Sequence, residues 1–139
     1  MTPPDKKIVK VILDSNALFV PLQFKIDIFE ELRTLLDRNF EPILLLSVKR
    51  ELERLADKSS PKMRKNASFA LKLAEKCKLV NTNEEKGMAS PDDAIIKAAK
   101  NWGCPVFTND RLLKKRLRDI NVPVIYVRQK SHLEIDGRI

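Results

Sequence analysis

The nine residues IVKVILDSN at positions 8–16 decide the fold. Ile8 to Leu13 is short, β-branched and almost wholly apolar, which reads as a strand buried on both faces. Asp14-Ser15-Asn16 then ends it. A strand covered on both sides belongs in a parallel sheet with helices above and below. The rest of the chain should therefore alternate strands with helices.

Working outward, it does. Ile28, Leu32, Leu35 and Leu36 recur at helical spacing, so a helix is expected near residues 25–38. PILLL at 42–46 reads as a second buried strand. Ser47 is placed to cap a helix that carries Val48, Leu52 and Leu55 on one side. Met63, Ala67, Ala70, Leu71, Ala74 and Cys77 form another apolar stripe, followed by a short strand at 78–82. Ser90-Pro91-Asp92-Asp93 has the form of a helix start: a capping serine, a proline in the first turn, and acids at the positive helix end. Trp102-Gly103 stops that helix. PVFT at 105–108 is a strand, Asn109-Asp110 opens a helix, and Val124 to Val127 is a last strand. The expectation is one α/β domain over residues 1–139, a three-layer α/β/α sandwich around a central, mostly parallel sheet. Residues 1–6 are expected to be frayed, and 129–139 to form a polar C-terminal tail.

With 139 residues, the chain is long enough to bury a core without disulfide or metal staples. Lys and Arg number 27 against 19 Asp and Glu, a net charge of +8. That excess favours polyanionic partners, although a solubilising surface would look the same. Two cysteines, Cys77 and Cys104, and one histidine, His132, give no zinc-ligand pattern. The thiols are expected to be buried in a reducing compartment. The N-terminus lacks an apolar signal core, and no apolar run approaches the ~20 residues of a membrane span. An intracellular, cytoplasmic protein is expected.

In an open parallel sheet, ligands bind beyond the carboxyl ends of the strands. Asp14 directly follows the first strand, and Asp110 lies two residues after PVFT. Glu51 is about 6 Å along its helix from Ser47, at ~1.5 Å per residue. Asp92 and Asp93 open another helix, whose N-terminus lies at the same sheet edge. Singly, each acid has a plainer explanation as a cap, a dipole partner or a solvated helix residue. Together they would crowd one rim, repel, and raise one another's pKa unless a cation joined them. Hard divalent ions take such oxygen ligands. No histidine base, serine triad or cysteine dyad is visible.

The pieces ILDSNAL at 12–18, SVKRELERL at 47–55, SPDDAIIKAA at 90–99 and VFTNDRLLKKRL at 106–117 resemble, in order and spacing, the PIN-domain ribonuclease family. The resemblance implies an acidic quartet of Asp14, Glu51, Asp93 and Asp110, with Asn16, Thr108 and Asn109 as supporting polar residues. Asp92 could replace Asp93 as ligand; the sequence does not decide, and Asp93 is taken here. It also implies Mg²⁺ or Mn²⁺, with Asp14 and Asp93 as principal ligands and Glu51 and Asp110 holding a second ion or orienting water. The implied reaction is hydrolysis of RNA to a 5′-phosphate and a 3′-hydroxyl. Two branches compete: the VapC-like toxin, inhibited by an antitoxin, and the ribosomal RNA-processing type. Asn121-Val122-Pro123 followed by VIYVRQK at 124–130 looks closer to the latter. Partners implied are RNA, an antitoxin or ribosome-assembly factor, and a second copy of the chain.

Arg111, Lys114, Lys115 and Arg118 follow Asp110 on one helix and could lead a phosphate backbone to the metal, against the alternative of a solvated charged face. Aromatics make up only 6% of the chain, so extensive base stacking is not expected. A dehalogenase-type phosphatase expects a second acid where Asn16 stands. A receiver domain expects a late lysine where Asn109-Asp110 stands. A dinucleotide-binding domain needs a glycine-rich turn, and the chain has three glycines in all. A catalytically silent RNA- or protein-binding domain would be marked by loss of acids, and all four are present.

Overall fold

The computed structural model describes residues 8–82 and 90–139; the expected fraying at 1–6 lies outside them. One sheet contains β1 (Val9–Leu13), β2 (Phe40–Leu45), β3 (Lys78–Val80), β4 (Val106–Phe107), β5 (Val124–Arg128) and β6 (His132–Asp136). Its order is β3-β2-β1-β4-β5-β6. The first five strands run parallel, and β6 runs antiparallel to β5. Among the described residues six helices surround it: α1 (Ser15–Phe24), α2 (Ile28–Leu36), α3 (Leu46–Lys58), α4 (Pro61–Ala74), α5 (Pro91–Trp102) and α6 (Arg111–Asp119). This is the α/β sandwich that the strand pattern required.

The core explains the apolar runs. Val11, Ile12 and Leu13 are fully buried, as are Val106, Phe107, Val124 and Ile125 in the strands beyond. Ile12 sits in register with Ile43 on one side and Val106 on the other. Val48 and Leu52 of α3, Ile95 and Ala99 of α5, and Leu113 and Leu117 of α6 close over the sheet. Each large aliphatic side chain so buried contributes about 1.5–3 kcal/mol. Cys104 is buried and Cys77 half-buried, both as free thiols. Burial pushes Cys77 up to about 12 and Cys104 up to about 11, so neither is poised as a nucleophile.

Local chemistry sets the helix ends. Ser60 and Ser90 accept hydrogen bonds from the N–H groups of Met63 and Asp93. Gly103 ends α5 in the left-handed region at φ 62°, its N–H on the Ala99 carbonyl at 2.8 Å.

Three features depart from the sequence expectations. Residues 15–24 form a helix of their own despite Pro21 inside it. Ser47 is not a cap: β2 runs straight into α3, Leu45 occupies the N-cap position, and Ser47 lies inside the helix. The expected polar tail at 129–139 contains β6, whose residues pair with β5 from Val124↔Asp136 to Arg128↔His132.

From β1 the chain steps to β2 and β3 on one side, then crosses back to β4 on the other. The strand order therefore reverses between β1 and β4, and in open α/β sheets ligands bind in the crevice at such a point. Asp14 and Thr108 follow these two strands, and the Asp14 N–H donates to the Phe107 carbonyl at 3.0 Å.

Candidate active site

Asp14 is the buried centre of this crevice, only 4% exposed. Its Oδ1 accepts from the Ser15 N–H at 2.7 Å, capping α1. Its Oδ2 accepts from Thr108 Oγ1 at 2.8 Å and from Asn16 Nδ2 at 3.0 Å. Burial nevertheless pushes the carboxyl up to about 6. The bonds from Thr108 and Ser15 oppose that shift, whereas the negative charges of Asp92 and Glu51 add to it.

The polar residues around it form one network. Asn16 Oδ1 accepts from the Asn109 N–H at 2.9 Å, and Thr108 Oγ1 accepts from the Asp110 N–H at 3.1 Å. Asn109 Oδ1 accepts from the Val127 N–H at 2.8 Å, which ties the turn after β4 to β5. Thr108 and Asn16 thus hold Asp14 directly, while Asn109 braces the turn that carries Thr108. Asp110 caps α6, its Oδ1 accepting from the Leu112 and Leu113 N–H groups at 2.9 and 3.2 Å. The capping reading of Asp14 and Asp110 is therefore true of both, and it is also what fixes their positions.

Of the adjacent acids of α5, Asp92 is the one that feels the charges of Asp110 and Glu51. Burial raises Asp92, as do the charges of Asp110, Glu51 and Asp93, against the lowering effect of Arg116. Asp93 turns toward α6, where its carboxylate pairs with the Arg116 guanidinium at 2.9 Å. Asp93 is the acid taken as ligand on sequence grounds, and here its carboxylate is engaged by Arg116. Consecutive helix residues point about 100° apart, and the cation on α6 claims the second of them. Glu51, on α3, contributes its charge to both Asp14 and Asp92.

Ser47, expected as a cap, is notable for another reason. Its Oγ is buried without a hydrogen-bond partner among the described residues. It lies one turn before Glu51 on the same side of α3, at the pole where β2 ends. Buried hydroxyls are normally satisfied, which sets this one apart. As they stand, no three His, Cys, Asp or Glu side chains among the described residues are arranged to enclose a metal ion.

The basic residues of α6 divide. Lys114 and Arg118 grip β6 through Asp136, at 3.6 and 3.4 Å, and Lys114 also lies over the Tyr126 ring at 3.6 Å from its centroid. Lys115 pairs along the helix with Asp119 at 3.3 Å. Arg111 is exposed, with no ion pair among the described residues. Of the four cations expected to meet RNA, two are thus anchors for the last strand. The sequence could not show this while that strand was read as a tail.

A family model described as "PIN like domain" matches residues 11–130. Ribonuclease VapC4 of Methanocaldococcus jannaschii is 35% identical over 133 residues, covering 94% of this chain and 98% of that protein. The rRNA-processing protein fcf1 of Schizosaccharomyces pombe is 32% identical over 119 residues, covering 84% of this chain and 58% of that protein. Among solved structures, that of the PIN domain endonuclease Utp24 superposes with a TM-score of 0.77 at 30% identity, covering 94% of this chain and 92% of that one. The crevice at the β1/β4 reversal, its buried aspartate and these matches over nearly the whole chain agree: this protein belongs to the PIN-like domain family, which it shares with proteins named as ribonucleases.

Proposed function

We propose that this chain is a divalent-metal-dependent endoribonuclease that hydrolyses RNA phosphodiester bonds to 5′-phosphate and 3′-hydroxyl ends. The observation that carries the reading is electrostatic: Asp14 and Asp92, from opposite halves of the chain, are both pushed up in part by other acids at the same pole. An all-oxygen, mutually repelling donor set fits a hard divalent ion such as Mg²⁺ or Mn²⁺. Mg²⁺ commonly takes one or two carboxylates directly and keeps water and phosphate in its remaining positions, which asks for no closed cage of acids. When bound there, such an ion supplies an acidified water and neutralises charge on the scissile phosphate.

In this reading the chain's residues have separate tasks. Asp14 offers a carboxylate held rigid by Thr108, Asn16 and Ser15. Asp92 takes the ligand position that sequence reasoning gave to Asp93. Glu51 and Asp110 hold a second ion or orient the attacking water. Asn109 positions Thr108. Purified protein should cleave RNA in Mg²⁺ or Mn²⁺, stop in chelator, and stop on Asp14→Asn with the fold intact. Cleavage that persists in Asp14→Asn protein would defeat the proposal, whereas RNA binding without cleavage by the wild type would favour the silent binding domain.

Two biological settings remain within this chemistry. Likeness to VapC4 agrees with the VapC-like toxin reading, and likeness to the rRNA-processing protein fcf1 agrees with processing of ribosomal RNA. The closing segment around Val124–Lys130 leads us to favour processing. No helix among the described residues is long and apolar enough to cross a membrane, and a cytoplasmic setting is part of the proposal.

A further inference from the structure

A groove of about 530 Å³ opens beside the acidic pole, within the ~300–1,000 Å³ range of small-ligand sites. Thr108 and Asn109 form its inner end, so it is continuous with the network that holds Asp14. Arg111, Lys114 and Lys130 line it, and none of the described acidic residues does. Its aromatic walls are Phe24 and Tyr126, the only tyrosine of the chain. Lys114 covers one face of the Tyr126 ring and reaches Asp136, which fixes the ring and leaves a base only its other face or its edge.

The outer lip is the β5–β6 turn, closed by the Ser131 N–H on the Arg128 carbonyl at 3.2 Å. Its central residues, Gln129 and Lys130, both adopt the left-handed backbone, at φ 53° and 58°. Such a turn prefers Asn-Gly, because longer side chains are disfavoured there. Here an uncommon backbone presents two long polar side chains to the groove, and outliers of this kind point to function. Asn109 Oδ1 is occupied by the Val127 N–H, so its Nδ2 is the end left to donate.

We propose that this groove binds one nucleotide of single-stranded RNA adjoining the scissile phosphate, with its phosphate on Arg111 and Lys130 and its base against Tyr126 and Phe24. The inference rests on the ribonuclease reading for its substrate class. It accounts for a basic helix whose other cations are engaged in the fold, and it requires an unpaired strand, since bases within a duplex cannot reach an aromatic wall.

The test is binding of a fluorescent single-stranded hexaribonucleotide to the whole chain in chelator, where no cleavage intervenes. Arg111→Ala and Lys130→Ala should each flatten the dependence of log affinity on log salt by about 0.7, the value for one phosphate contact on a single strand. Tyr126→Leu should weaken binding by at least about 5-fold, the low end for losing a base–aromatic stack. Lys100→Ala on α5 makes the same charge change away from the groove and should alter neither quantity. An unchanged salt slope in both cationic variants, or equal affinity for a duplex of the same length, overturns the proposal. So would loss of binding to an acidic peptide with RNA affinity retained, which would give the groove to a protein partner. Loss of cleavage in metal alone, with hexamer binding as described, would defeat the nuclease reading and leave the groove assignment standing.

Discussion

Replacing the central aspartate by its amide should make the metal-free protein more stable at neutral pH, although it destroys the proposed activity. Asp14 is buried, and its carboxyl is pushed from an ordinary 3.8 up to about 6. That interval corresponds to about 3 kcal/mol by which the folded state favours the neutral form. The sign follows directly. Below pH 4, Asp14 is protonated in both states and the full preference supports the fold. As pH rises through about 6, the folded protein must release the proton, and that support is lost. At pH 7.5 the wild type therefore carries a buried charge that Asp14→Asn does not. Part of the gain is given back. The amide oxygen can accept from Thr108 and Asn16, but its NH₂ then faces the Ser15 N–H, and a lost cap costs about 1 kcal/mol. The expected net gain is about 1–2 kcal/mol. Urea denaturation in chelator, run in parallel on both proteins from pH 4 to 7.5, isolates Asp14 and its coupling to Asp92 and Glu51, because groups that do not feel Asp14 cancel in the difference. The variant should gain on the wild type as pH rises, and Mg²⁺ should stabilise only the wild type. A variant less stable than wild type at pH 7.5 in chelator, or a difference independent of pH, would refute the reasoning.

Other consequences are as specific. Asp92→Asn should reduce metal-dependent cleavage by about 100-fold or more. Asp93→Asn breaks only a partly exposed pair with Arg116 and should change activity by less than about 3-fold and stability by about 0–1 kcal/mol; kinetics on the two purified variants checks both. Protons compete with the metal at Asp14, so log cleavage rate at subsaturating Mg²⁺ should fall with slope near one below about pH 6. Ser47→Ala removes a buried hydroxyl with no partner among the described residues. It should leave the melting temperature of the chelated protein unchanged or raised, as followed by circular dichroism.

Much of the fold was legible because strands buried on both faces leave nearly uninterrupted apolar runs. Ile8–Leu13 and PILLL became β1 and β2 with small shifts at their ends. Ser90-Pro91 and Gly103 marked both ends of α5, because caps are local chemistry. The first helix was hidden by Pro21, which usually breaks a helix; here the helix continues past it, closing with the Lys25 N–H on the Pro21 carbonyl. The last strand was hidden because its hairpin uses Gln129-Lys130 where Asn-Gly would announce a turn. With β6 unseen, Lys114 and Arg118 had no visible partner, so their grip on Asp136 could not be anticipated.

The site shows the same division. Topology alone carries Asp14 and Asp110 to one pole, since each directly follows a strand or opens a helix at the reversal of strand order. The pairing of Asp93 with Arg116 joins two helices distant in sequence, a reach that no local pattern reveals. Ser47 had the composition of a cap, but β2 and α3 join without a loop, so the backbone leaves no capping position for it.

Anomalous diffraction from crystals soaked in Mn²⁺ would locate the ion itself. We expect an anomalous peak within coordination distance of an Asp14 carboxylate oxygen, with Asp92 closer to it than Asp93 and water completing the shell. A crystal fully exposed to Mn²⁺ that shows no peak at this pole, or a peak held by Asp93 with Asp14 out of reach, would contradict the assignment.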